Sequence, residues 1–320
     1  MPSSTVGGVS AWFSRRSGSS DQNSSSLASR PTTVRMRLLG PTLVACAAAL
    51  ALAAAAPAAG DANVAAMQVG LRMRGIYAGP VDGVSGPATA ASIRALQRAA
   101  GLPTDGEVGA RTRGALGPFG RYRFGSRSLS RGAIGWDVAA LQFLLAWHGF
   151  PSGNFDGSFA GHLDAALRRY QRWAGLTVDG VAGPGVFSSL RAAPPRCPIP
   201  VSRPLPGPIG DPFGPRGARF HTGVDFPAAA GTSVAAAAAG RVVYAGWLDG
   251  GWGNLVVLGN GHGVRTMYAH LSRIFLRIGQ RVITGTPVGA VGATGDATGP
   301  HLHFEVRVRD AAVDPLPALR

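Results

Sequence analysis

The chain has 320 residues, enough for two or three domains, and its 46% hydrophobic content excludes a mainly disordered protein. The formal net charge is +15, carried entirely by arginine, and it favours an anionic partner: nucleic acid, an anionic membrane or an anionic cell wall. The arginines are scattered and form no single basic helix, which argues against nucleic acid. Residues 1–35 are rich in Ser, Gly and Arg, lack periodicity, and are expected to be disordered. Residues 36–59 follow as an Ala/Leu-rich apolar run behind Arg35 and Arg37, ending near Ala56-Pro-Ala58. They read as a signal peptide, or else as an uncleaved membrane anchor, with Met36 an alternative start. Leu43-Val-Ala-Cys46 is similar to a lipidation site, but the residues after Cys46 stay apolar, which disfavours it. Each reading places the remaining domains outside the cytoplasm. Cys46 falls in this segment, so Cys197 has no partner and no structural disulfide is expected.

Two copies of one unit come next. Met67-Gln68 matches Leu141-Gln142, Gly75 matches Gly149, and Asp82-Gly83 matches Asp156-Gly157. Gln97 likewise matches Gln171, Asp105-Gly106 matches Asp179-Gly180, and Leu116 matches Leu190, all in one gapless register. Such a register marks a duplication. Each copy reads as three short helices. Val64, Met67 and Leu71 make one apolar stripe, repeated by Val138, Leu141 and Leu145. Ile93, Leu96 and Ala100 make a second, repeated by Leu167, Tyr170 and Ala174. The Asp-Gly pairs are tight turns, with Asp82 and Asp156 as turn-formers. The pattern resembles the peptidoglycan-binding module found beside many bacterial wall hydrolases, over 62–117 and 136–192. The resemblance implies non-catalytic binding of wall glycan or peptide, without naming the residues that contact it.

Residues 118–135 link the copies and carry Arg121, Arg123, Arg127 and Arg131, and are expected to form a solvated loop with a potential for touching anionic wall polymers. Residues 193–208 are a proline-rich linker, expected to be an extended spacer between binder and catalyst. From 209 the apolar pattern changes to period two. Runs 241–247, 254–258, 264–270, 288–291 and 301–308 read as strands bracketed by Gly-rich turns. The expected fold class is therefore multidomain α+β: two small three-helix modules, then a mostly antiparallel β domain over 209–317.

This last domain holds three short clusters with metal or proton-transfer chemistry: His221-Thr-Gly-Val-Asp225, Tyr268-Ala-His270, and His301-Leu-His303-Phe-Glu305. A zinc hydrolase needs three protein ligands and an open position, and imidazole with carboxylate suits zinc. His221 and Asp225 offer one nitrogen and one oxygen. His301 and His303 share a strand face, so one can bind metal while the other stands over the water. His270, at a strand end, can reach the same face. No His-Glu-x-x-His motif occurs, so proton transfer falls to histidine. Glu305 shares that face too, and either orients a ligand histidine or makes a surface salt bridge. His148, His162 and His262 are background.

These motifs resemble the lysostaphin-type (LytM-like) zinc endopeptidases, which cleave peptide cross-links in bacterial peptidoglycan. The resemblance covers 209–317 and includes Val313-Asp-Pro315, while the family's His-Gly-Asn-Gly turn reads Asn260-Gly-His-Gly. It implies one zinc per chain held by His221, Asp225 and His303, with His270 and His301 as catalytic histidines. Gly295, Gly299, Pro300 and Arg216 are expected beside the groove. The expected function is an exported wall endopeptidase with peptidoglycan as partner, no nucleic acid, and membrane contact only if residues 36–59 stay uncleaved. The alternative is a non-catalytic peptidoglycan-binding scaffold or an activator of another hydrolase.

Overall fold

The computed structural model describes residues 60–320, and the expectations for 1–35, 36–59 and Cys46 lie outside the described residues. No helix among the described residues is long and apolar enough to cross a membrane. The first copy forms α1 (Ala62–Met73), α2 (Pro87–Ala99) and α3 (Ala110–Gly114). The second forms α4 (Trp136–Trp147), α5 (Gly161–Trp173) and α6 (Pro184–Ser189). The expected stripes face inward except at Val64 and Ala174, which are half-buried, and Ala100, which is exposed.

The duplication has a physical basis in a glutamine lock. Gln68 is fully buried; its Oε1 accepts from Gly83 N–H at 2.9 Å and its Nε2 donates to Asp82 Oδ1 at 2.7 Å. Asp82 Oδ1 also accepts from Val84 N–H, closing the turn. The same lock recurs at Gln97 with Asp105-Gly106, Gln142 with Asp156-Gly157, and Gln171 with Asp179-Gly180. A buried amide satisfied at both ends fixes the loop on the helix. The aspartates of these turns are therefore turn-formers.

Helices α1 and α4 pack against each other. Eleven of the twelve α4 residues are buried, because α4 is also covered by its own module and by the β domain. The loop 118–135 is less solvated than its charge suggests. Arg127 Nε pairs at 2.7 Å with the buried Asp137, and Leu129 bridges Ala182 with no exposed surface.

The β domain comprises β1 (Gly214–Arg216), β2 (Arg219–His221), β3 (Val224–Pro227), β4 (Ser233–Ala235), β5 (Gly240–Leu248) and β6 (Gly253–Gly259). It continues with β7 (Val264–Leu271), β8 (Arg273–Ile274), β9 (Arg281–Val282), β10 (Pro287–Ala290), β11 (His301–Val308) and β12 (Ala311–Val313). The main sheet runs β12-β11-β7-β6-β5-β9, with β3 also paired to β11. A small sheet β4-β10-β8 and the hairpin β1-β2 complete it, and all these pairings are antiparallel. Phe226, Tyr268, Leu302 and Phe304 fill the core behind the site.

The proline-rich segment does not hold the modules away from the β domain. Val201 and Leu205 are buried, Val201 N–H donates to Ala318 O, and Ser202 N–H donates to Ala237 O. Apolar residues between the prolines anchor the segment, which stiffness alone would have left extended. Both modules also hold the tip of the β1-β2 hairpin. Val81 N–H donates to Gly217 O at 2.8 Å, and Phe155 N–H donates to Ala218 O at 2.7 Å. Val81 and Phe155 are equivalent positions of the duplication, so two copies grip adjacent carbonyls. Trp147 packs edge-on against Phe213 and Phe220 beneath the hairpin. Replacing Gln68 with Ala orphans the buried Gly83 N–H and is expected to lower stability by about 1–3 kcal/mol in urea denaturation.

Candidate metal centre

Strand register builds the centre. β3 and β11 are antiparallel neighbours, and Asp225 lies directly opposite His303. His303 Nδ1 is 2.9 Å from Asp225 Oδ1. The hairpin strand β2 brings His221 from the side, with Nε2 3.1 Å from Asp225 Oδ1 and 2.9 Å from His303 Nδ1. Three donor atoms thus form a triangle about 3 Å on a side, and all three residues are buried. His270, on β7, and His301, on β11, stand beside it, their rings 4.8 Å apart between centroids. His301 Nε2 is 3.8 Å from Asp225 Oδ1.

Each of three histidines is fixed by a backbone carbonyl. Nδ1–H donates to Pro212 O in His221, to Thr294 O in His270 and to Gly299 O in His301, at 2.8, 2.8 and 2.9 Å. A carbonyl only accepts, so Nδ1 carries the proton and the Nε2 lone pair is free. His303 is held the other way round. Its Nε2 faces Glu305 Oε1 at 3.3 Å, leaving Nδ1 toward Asp225 and His221. Two imidazole nitrogens and a carboxylate oxygen converge on one point. That donor set suits a divalent transition ion such as zinc with three protein ligands.

The surrounding groups polarise this arrangement. Burial raises the Asp225 carboxyl, but the neighbouring His221 and His303 rings outweigh it and hold the group well below the usual carboxylate range. Burial depresses His303, yet Asp225 and Glu305 push it up to about 9. Glu305 is fully buried, and burial raises it, while Arg307 and His303 bring it down to about 2. Burial lowers His270 against the Thr294 hydrogen bond, aided by His303 and His301, and so favours its neutral form.

Of the expected site residues, the structure brings His221, Asp225, His270, His301, His303 and Glu305 together. Arg216, Gly299 and Pro300 line the cavity of about 650 Å³ in front of them. Several participants were not singled out from the sequence. Thr222 Oγ1 donates to Glu305 Oε1, and Arg307 Nε donates to Glu305 Oε2 at 2.7 Å. Arg307 was legible, lying two residues past Glu305 on the same strand face. Arg216 Nη2 donates to Asp225 Oδ2 at 2.7 Å while its Nε pairs with Asp211, so Oδ1 alone is left for the triangle. His270 also has a left-handed backbone, φ 59°, a conformation that costs free energy outside glycine and often marks functional sites. Gly292 sits against His270 O and Ser272 N, where a Cβ would meet backbone at 2.3 Å.

The family described as "Peptidase family M23" matches residues 219–315. The C-terminal domain belongs to this family. The two modules match the family described as "Putative peptidoglycan binding domain" over 60–116 and 135–190. The DD-carboxypeptidase/endopeptidase Mpg of Neisseria meningitidis is 45% identical over 98 residues, which is 31% of this chain and 22% of that protein. Lysostaphin of Staphylococcus simulans is 42% identical over 106 residues, 32% of this chain and 22% of that protein. The chain therefore spans about a fifth of the length of these curated relatives. Among solved structures, the lysostaphin catalytic domain from S. simulans is 38% identical with a TM-score of 0.33, covering 34% of this chain and 90% of that one. A zinc-containing peptidase from Vibrio cholerae is 34% identical, with a TM-score of 0.33, covering 36% and 38%.

In the M23 domain, Glu305 Oε1 lies 3.3 Å from His303 Nε2, on the side of the ring away from Asp225. Glu305→Gln is expected to weaken zinc binding about 10–100-fold, read by competition with a chromogenic chelator.

Proposed function

We propose that the chain is an exported zinc endopeptidase that hydrolyses peptide cross-links of bacterial peptidoglycan, held on its substrate by the two helical modules. The observation that carries this reading is the triangle of His221 Nε2, Asp225 Oδ1 and His303 Nδ1, flanked by two histidines with free Nε2 lone pairs. His221, Asp225 and His303 would hold one zinc. An ion bound there would supply Lewis-acid polarisation of the scissile carbonyl and would acidify a water.

The remaining chemistry belongs to the chain. His301 Nε2 takes the proton of the attacking water as general base and returns it to the departing amine. His270, kept neutral with its Nδ1–H donating to Thr294 O, presents its Nε2 acceptor to the same cavity and orients the attacking water. Arg216 keeps Asp225 on one oxygen, and Glu305 fixes the His303 tautomer. The substrate lies outside the cytoplasmic membrane, so residues 36–59 serve as the export signal and the site of action is the wall. The modules bind the same polymer and raise its local concentration at the cleft.

The test is digestion of purified sacculi with mass spectrometry of the released muropeptides. New amine ends are expected from the zinc-loaded chain and none after chelation; binding to sacculi without new ends would make it a scaffold. Asp225→Ala and His303→Ala are expected to lose both zinc and activity. His301→Ala and His270→Ala are expected to keep zinc, measured by elemental analysis, while activity falls about 10²–10⁴-fold.

A further inference from the structure

A second cavity, of about 500 Å³, lies between the second module and the M23 domain. Thr222 and Trp252 line both cavities, so they share a wall. From the M23 side come Arg219 and Arg307, and from the module side Arg169, Ser152 and Asn154.

The polar groups there are under-used. Arg169 is half-buried, and its guanidinium makes one long hydrogen bond, from Nη2 to Pro151 O at 3.3 Å, with no ion pair among the described residues. Burial and the neighbouring Arg307 both push its pKa down, against Asp310. Arg307 engages Glu305 through Nε, and Arg219 uses Nε on Asn154 Oδ1 at 3.0 Å. Ser152 is 7% exposed, and its Oγ has no hydrogen-bond partner. The one carboxylate on the lining, Asp156, accepts from Gln142 Nε2 and Ser158 N–H at Oδ1. Three arginines thus line a space that holds a single carboxylate, Asp156.

The duplication shows that the module fold does not require these groups. In the first copy the equivalent positions are Ala95 for Arg169, Ala78 for Ser152 and Pro80 for Asn154. Only the copy that closes over the catalytic side carries them.

We propose that this second cavity is a carboxylate-binding subsite, built jointly by the second module and the M23 domain, that receives a free carboxylate of the wall peptide lying in the catalytic cavity. Arg169 and Arg307 present guanidinium forks, which suit a carboxylate. The shared wall at Thr222 and Trp252 puts that carboxylate on a residue flanking the scissile bond. The inference rests on the peptidoglycan reading above and makes substrate choice depend on the module as well as on the peptidase groove.

The test is calorimetric binding to the full zinc-loaded chain carrying His301→Ala to suppress turnover. The probes are a synthetic stem peptide of L-Ala, D-Glu, meso-diaminopimelate and D-Ala with free carboxylates, and the same peptide amidated. The free acid is expected to bind about tenfold more tightly, the scale of one charge-assisted pair. Adding Arg169→Gln or Arg219→Gln is expected to bring the ratio toward one, while Arg277→Gln, outside both cavities, leaves it unchanged. Thermal melting identifies a variant that fails to fold, and the exposed Arg219 position then carries the test. No preference in the parent, a preference kept by both cavity variants, or an equal loss in Arg277→Gln would each overturn the proposal. Hydrolysis of sacculi by the wild-type chain is read separately, so a catalytically silent chain that keeps the carboxylate preference would sink the enzyme and leave the subsite.

Discussion

The antiparallel pairing of β3 with β11 is the constraint on which the centre depends. It sets Asp225 opposite His303, and the short Cβ separation of a cross-strand pair brings carboxylate and imidazole within hydrogen-bonding distance. A slip of one residue would turn His301, His303 and Glu305 to the other face together. Behind them, Phe226, Leu302 and Phe304 fill the core with no exposed surface, so the register that forms the site is the one that buries the apolar face. Core and chemistry are locked to the same alternation.

The hairpin β1-β2 supplies what the main sheet lacks. It contributes His221 and Arg216, and its tip is held by Val81 from one module and Phe155 from the other. A hairpin of two three-residue strands is marginal alone. Here the modules act as structural supports of the centre, with Trp147 packed beneath Phe213 and Phe220. The tandem arrangement therefore has a mechanical reason: two equivalent backbone N–H groups meet two adjacent carbonyls.

Much of this was legible in the chain. The constant offset between Gln68 and Gln142, and between Gln97 and Gln171, marked the duplication, and Asp-Gly pairs marked its turns. The function of those glutamines as buried locks was not legible, because a polar residue on a helix reads as solvent-facing until its loop partner is known. The proline-rich segment misled for a related reason. Proline reports stiffness, whereas Val201 and Leu205 dock according to an apolar surface far away in sequence. The left-handed backbone at His270 also had no local signal, since it is imposed by neighbours such as Trp252, whose carbonyl accepts the His270 N–H.

The sequence by itself determined the helical character of the two modules, the strand character of the C-terminal domain, the duplication, and the small set of residue types able to hold a metal, because these follow from periodicity, glycine placement and side-chain chemistry. Only the tertiary structure decided which ring nitrogen of each histidine faces the centre. It also decided that Arg216 takes the second oxygen of Asp225, and that Arg169 and Arg307 share one cavity across a domain boundary. Those outcomes depend on distances between segments tens of residues apart, set by sheet register and interdomain packing, and no local pattern encodes them.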